Sequence, residues 1–213
     1  LSSIKWMSEL LSNPKNKQND QTEEYVKLIQ AGVQRLINLV NDLMAIAKID
    51  ESKTAIQPEP TDFPKIVEAA INDSEGILQE SRCSVDFSNH LPPGQKDVLA
   101  DEQNLRQVVI NVLSNAIKYS PAGSTINLRL ELVDDLIQFS CQDKGIGIPA
   151  KSQSRVFSKF FRADNTALTQ TQGTGLGLYI AKGLIEAMGG QIRFESTENQ
   201  GTTFYISLPI YLS

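Results

Sequence analysis

The chain has 213 residues, 40% hydrophobic and 21% charged, with 20 Lys+Arg against 25 Asp+Glu for a net charge of −5. That length holds one large domain, or a medium one with a smaller appendage, and the acidic balance argues against a general nucleic-acid binder, which carries a basic face or tail. No apolar run reaches the roughly 20 residues that span a bilayer. Cys83, Cys141 and the one histidine, His90, make no zinc cluster, and the two cysteines read as reduced, packed thiols of a cytoplasmic protein.

In chain order, Ile4, Met7 and Leu11 predict a short helix, and NPKNKQNDQT with Pro14 a helix-to-helix loop. From there apolar residues fall at Val26, Ile29, Val33, Leu36, Val40, Leu43 and Ala47, with spacings that alternate three and four. This 3.5-residue repeat is a coiled-coil or bundle seam, and Ile37 and Met44 widen it toward a bundle. Two antiparallel helices cannot bury such stripes alone, so a homodimer completing a four-helix bundle is expected, with packing against the second domain as the alternative. ESKTAIQPEPTDF then reads as a linker. The expected division is residues 1–50 as the helical hairpin, 51–62 as linker and 63–213 as a second domain. Within that domain, residues 63–81 read as helix, SVDFSN as a strand, NHLPPG as a turn and 102–119 as a strongly apolar helix. Ile126, Leu128, Leu130 and Leu132 alternate, as do Ile137, Phe139 and Cys141, around an Asp-Asp turn, which predicts a hairpin with one buried face. A polar, glycine-containing stretch over 145–173, a helix over 175–188 and the strands GQIRFES and TTFYISLP complete the chain. Strands and helices without regular alternation predict an α+β sandwich, helices on one face of a mixed sheet.

Three stretches carry polar groups that a core does not need. GTGLGLYIAKGLIEAMGG (173–190) sets glycines at alternate positions before an apolar helix. A helix start reached through glycines is a ready anion site, and it is equally ordinary punctuation; the spacing is neither the dinucleotide fingerprint nor the P-loop. NVLSNAIKYS (111–120) places Asn111, Asn115 and Lys118 at i, i+4 and i+7, beside the apolar stripe of Leu105, Val109, Val112 and Ala116. Amide oxygens suit Mg²⁺ and an ammonium suits phosphate, while capping of buried backbone is the alternative use. In DKGIGIP (143–149), Asp143 continues the inward row of Ile137, Phe139 and Cys141. There a carboxylate can accept from an exocyclic amine such as that of adenine, with Gly145 and Gly147 letting a ring approach the backbone.

Taken in order, Asn-x-x-x-Asn-Ala-x-Lys-Tyr, Asp-x-Gly-x-Gly-Ile, FSKFFR, Gly-x-Gly-x-Gly-Leu and the closing GTTFYISLP resemble, over about residues 60–209, the nucleotide-binding domain of sensor histidine kinases. The helical hairpin before it resembles their dimerisation and phosphotransfer domain. The resemblance implies the sandwich fold shared with type II topoisomerase and mismatch-repair ATPases, with ATP between the sheet and a flexible lid. It implies that Asn115 binds Mg²⁺ with Asn111 assisting, that Lys118 meets phosphate and that Tyr119 packs near the base. Asp143 takes the adenine amino group, beside Gly145, Gly147 and Ile148. The lid covers residues 149–173, anchored by Phe157 and Phe160, with Arg162 or Lys159 near the phosphates. Gly173, Thr174, Gly175, Leu176, Gly177 and Leu178 form the phosphate turn, and Thr203 completes the set. The related ATPases have a Glu where this chain has Asn111; an amide cannot activate water, which favours transfer over hydrolysis.

One element of the resemblance is missing. The family's phosphoacceptor histidine opens a motif similar to His-Glu-Leu-Arg-Thr-Pro-Leu on the first helix, and LSSIKWMSELL looks like the stretch just after that motif. His90 lies in a turn of the other half. The acceptor is therefore expected just upstream of Leu1, in an N-terminally truncated chain that binds ATP without phosphorylating itself. The partners implied are a second copy and a response-regulator receiver domain, and the full protein is expected in the cytoplasm or anchored from it. A non-catalytic dimeric ATP-binding scaffold is the competing function. A serine kinase of the anti-sigma-factor type fits the heptad hairpin less well.

Overall fold

The computed structural model describes residues 19–51, 58–163, 165 and 173–211. The chain divides into two units, residues 1–47 and 48–213. Among the described residues, the helix α1 runs Asn19–Glu51, most of it in the first unit. It begins inside the stretch expected as a loop, so the last four residues of NPKNKQNDQT are helical. The shorter helix expected around Ile4, Met7 and Leu11 lies outside the described residues. Val26, Val33, Ile37, Val40, Leu43 and Met44 are all exposed along α1 among the described residues.

The second unit opens with β1 (Glu59–Asp62), at the end of the stretch expected as linker. It continues through α2 (Phe63–Asp73), α3 (Glu75–Ser81), β2 (Ser84–Asn89), β3 (Asp97–Ala100) and α4 (Glu102–Tyr119). The hairpin strands β4 (Thr125–Val133) and β5 (Leu136–Gln142) come next, then α5 (Ala150–Gln153), α6 (Gly177–Ala187), β6 (Gln191–Thr197) and β7 (Gly201–Pro209). Five strands form a sheet in the order β2-β4-β5-β7-β6, antiparallel except for the β2–β4 pair. β1 and β3 make a separate antiparallel pair, closed by the Thr61 hydroxyl on the Ala100 carbonyl and linked to the end of β7 through Val98 and Ile210.

Period-two alternation sorts the large sheet into two faces. Ile126, Leu128 and Leu130, Ile137, Phe139 and Cys141, and Phe204, Ile206 and Leu208 are buried in rows. α4 lies against both α2 and α6, and the apolar faces of the three helices cover that side; Phe63 meets Phe139 at 6.0 Å between ring centroids. This is the helix-on-sheet sandwich that the strand and helix patterns predict. The β4–β5 turn is made by Asp134 and Asp135, both at positive φ (48° and 61°), the two-residue geometry whose twist suits a hairpin.

Two boundaries depart from the sequence pattern. The helix expected over 63–81 breaks at Ser74, a buried residue whose hydroxyl bonds the Ala70 carbonyl at 2.7 Å and whose N–H turns back to Ile71. The helix expected from 175 begins at Gly177, because Gly175 sits at φ +72°, outside helical space.

Candidate functional site

α4 is capped at its start by Asp101, which accepts from the Asn104 N–H at 2.9 Å. One face of α4, with Leu105, Val109, Val112 and Ala116, is in the core, and this fixes Asn111, Asn115 and Lys118 along the neighbouring, half-exposed strip. The strip faces the glycine turn. The Asn111 Nδ2 donates to the Gly177 carbonyl at 3.3 Å, joining α4 to the first residue of α6. A Cβ placed on Gly173 would stand 2.8 Å from the Lys118 Nζ, so the ammonium lies against the start of the turn. Burial holds the Lys118 pKa below the ordinary lysine value, and the positive charge of Arg162 beside it adds to the effect. A cation thus stands at a glycine turn that opens a helix, the kind of place where an anion binds. Asn115 is half-exposed on the same strip, with no side-chain hydrogen bond to another described residue.

Opposite this strip, Asp143 ends the buried row of β5 and is 6% exposed. Its Oδ1 accepts from the Gly145 N–H at 2.7 Å and the Thr202 N–H at 3.1 Å. Its own N–H donates to the Thr202 carbonyl at 2.9 Å. Oδ2 carries no hydrogen bond from a described residue. Burial raises the Asp143 pKa to about 6, against the lowering effect of the two N–H donors. The two amides of the α4 strip are hard-oxygen donors, and no group of three or more His, Cys, Asp or Glu side chains suited to a metal occurs among the described residues.

Several residues singled out from sequence stand in other roles. Gly145 and Gly147 were expected to let a ring approach. A Cβ on Gly147, at φ +62°, would lie 2.0 Å from the Thr197 carbonyl oxygen, and one on Gly145 2.5 Å from that of Tyr119. The space both residues leave is taken by the protein's own backbone, which docks the Asp143 loop on α4 and on the β6–β7 turn. Leu176 is fully buried and belongs to the core, while Leu178 is only half-buried. The Thr174 hydroxyl accepts from the Leu176 N–H at 3.3 Å and shapes the turn. Gly175 is the glycine the turn requires: besides its positive φ, a Cβ there would lie 2.8 Å from the Phe160 carbonyl carbon.

The described residues of the stretch expected as a lid include both packed and exposed positions. Ser152 and Val156 are buried, and Phe157 meets Phe194 edge-on at 5.7 Å, so Phe157 is an anchor. Phe160 is not. It is 62% exposed at φ 60°, which turns its ring outward while its backbone rests on Gly175. Lys159 lies over the Tyr179 ring of α6 at 4.8 Å, whereas Arg162 is the cation beside Lys118. Residues 164 and 166–172 lie outside the described residues. Lys118 also sits over the ring of Tyr119 at 5.4 Å.

Thr203 stands on the wrong face. It pairs with Gln142, whose side chain points away from the helices, and only Thr202 shares the inner face with Phe204 and Asp143. Period two counted back from Leu208, Ile206 and Phe204 arrives at Thr202, a signal present in the sequence. Ser196 and Gln153 were also missed. The Ser196 hydroxyl accepts from the Ile148 N–H at 2.8 Å, and the Gln153 Nε2 bridges the carbonyls of Ile148 (3.1 Å) and Ser196 (3.0 Å).

Known proteins resemble this chain in sequence and fold. The profile of the family described as "Histidine kinase-, DNA gyrase B-, and HSP90-like ATPase" matches residues 100–212, and that of the "His Kinase A (phospho-acceptor) domain" residues 1–52. The circadian input-output histidine kinase CikA of Synechococcus elongatus is 35% identical over 193 residues, covering 89% of this chain and 25% of that protein. The sensor histidine kinase WalK of Bacillus subtilis is 32% identical over 211 residues, 98% of this chain and 34% of that one. The chain therefore spans a quarter to a third of the length of these relatives. Among solved structures, full-length ShkA in complex with AMPPNP aligns over 99% of this chain and 45% of its own, with a TM-score of 0.75 and 25% identity.

Proposed function

This chain belongs to the histidine kinase family, and on that premise we propose that it is the cytoplasmic kinase portion of a two-component sensor kinase, binding Mg-ATP and passing the γ-phosphoryl to a phosphoacceptor histidine. The observation that carries the proposal is the Lys118 ammonium set against Gly173 at the start of the Gly173–Gly177 turn. Across the site, Asp143 Oδ2 would accept from the adenine amine, with Ile148 and Tyr119 beside the base. Lys118, Arg162 and the turn's backbone N–H groups would hold the phosphates. Asn115 and Asn111 would hold Mg²⁺ through their amide oxygens, and the ion would neutralise phosphate charge. The ShkA structure holds an ATP analogue, which supports the same use of this fold here.

Asn111 is an amide engaged with the Gly177 carbonyl, with no basic atom to deprotonate water. Hydrolysis would be slow and the γ-phosphoryl kept for a protein nucleophile. His90, exposed at the end of β2 in the nucleotide-binding unit, is not that nucleophile. The α1 stripe supports a homodimer completing a four-helix bundle, and the phosphohistidine would pass its phosphoryl to an Asp of a response-regulator receiver domain.

The test is γ-labelled ATP with Mg²⁺, given to this chain alone and to this chain mixed with a phosphotransfer hairpin of a relative that carries the acceptor histidine. Label that is acid-labile and confined to the added hairpin is the expected result. Stable ATP binding with no transfer to any hairpin would favour the non-catalytic dimeric scaffold.

A further inference from the structure

Three inward-facing rows of the sheet turn polar at the same end. On β5, Ile137, Phe139 and Cys141 lead to Asp143; on β7, Leu208, Ile206 and Phe204 lead to Thr202; on β6, Ile192 and Phe194 lead to Ser196. Asp143 and Thr202 are both buried, so their polar groups must be partnered. Ser196 is the hub. Its hydroxyl lies 3.0 Å from the Gly201 carbonyl, 2.9 Å from the Thr202 Oγ1 and 2.8 Å from the Ile148 N–H. A hydroxyl has one donor and two acceptor positions. Donating to Gly201 and accepting from Thr202 and Ile148 fills all three.

Resting on the nucleotide-site proposal above, we infer that Ser196 is a positioning residue for recognition of the base, acting through Asp143 and the Ile148 amide. The sheet itself does not need this hydroxyl, because β6 and β7 are already in register with Ser196 opposite Thr202. What the hydroxyl adds is a tie to Ile148, which lies outside the sheet in the loop after Asp143. On one side Ser196 holds Thr202, whose N–H holds the Asp143 Oδ1. On the other it holds the loop whose Gly145 N–H binds the same oxygen. Both donors that orient the carboxylate are therefore referred to one side chain. Gln153 closes the frame by bridging the Ile148 and Ser196 carbonyls, so the first turn after the loop is fixed to the same point.

The experiment compares the chain with Ser196→Ala, Ser196→Thr and Asp143→Ala, measuring affinities for ATP, GTP and inorganic tripolyphosphate by competition. Loss of this half-buried hydrogen-bond hub is expected to weaken ATP by about tenfold in Ser196→Ala. GTP and tripolyphosphate should be unmoved, so the preference for adenine falls, and Ser196→Thr, which keeps the hydroxyl, should restore it. An unchanged ATP-to-GTP ratio in Ser196→Ala, or a parallel loss of tripolyphosphate, overturns the inference. Asp143→Ala separates the two levels: if it too keeps its adenine preference, the nucleotide-site proposal itself fails.

Discussion

Asp143 is a carboxylate where the pattern of its strand calls for an apolar residue, and its environment makes it both costly and useful. Burial raises its pKa to about 6, so the folded protein holds a proton there between roughly pH 4 and 6 that the unfolded chain does not. Stability therefore falls as pH rises through that window, and at neutral pH the buried charge costs at most about 3 kcal/mol. Asp143→Asn removes the charge. The variant is expected to be more stable than the parent at pH 7, with the difference shrinking toward pH 4.5, as thermal or urea unfolding at the two pH values would read; a gap that is constant with pH contradicts the assignment. The same variant is expected to lose about 1–3 kcal/mol of ATP binding, the range for a charge-assisted hydrogen bond. In the parent, Oδ1 already accepts two N–H groups, so the proton taken up below pH 6 goes to Oδ2 and sets a donor against the adenine amine. Affinity should fall as pH drops through 6 in the parent and fall less in Asp143→Asn, which titrations of both with ADP across pH 5–8 would resolve.

At the scale of elements, α1 carries an exposed apolar stripe among the described residues. Val33 and Leu43 are 42% and 47% exposed on a stripe with bundle spacing. Val33→Asp with Leu43→Asp should convert a dimer to a monomer by sedimentation or light scattering while leaving nucleotide affinity unchanged; a parent that is already monomeric would contradict the bundle. How legible each element was from sequence depends on how its signal is built. The α4 helix and the β4–β5 hairpin carry long periodic runs with one buried face, and these need no tertiary information. β1 and β3 are four residues each, too short for a period, and β1 contains a proline. Their strand character comes from pairing with each other. Ser74 looks like any helical serine until its hydroxyl turns back onto Ala70. In the site, the polar strip of α4 and Asp143 were legible because polar groups beside or within an apolar row stand out. The Ser196 hub was not, since one serine at a strand end carries no signal without its three partners. Thr203 was a parity error, not a missing signal. Phe160 failed for another reason: its positive φ reverses the direction its position in the motif suggests.

In the molecule as a whole, the nucleotide-binding unit is a sandwich whose polar groups gather at one end, between the α4 strip, the glycine turn and the three row ends of the sheet. The chain's single histidine, His90, is an exposed residue at the end of β2. The central claim is that this end of the sandwich binds Mg-ATP. Calorimetric titration with a non-hydrolysable ATP analogue, with Mg²⁺ and with chelator, tests it most directly. Saturable binding in the micromolar-to-millimolar range that weakens when Mg²⁺ is removed is the predicted result. No heat of binding in that range, with or without Mg²⁺, would contradict it.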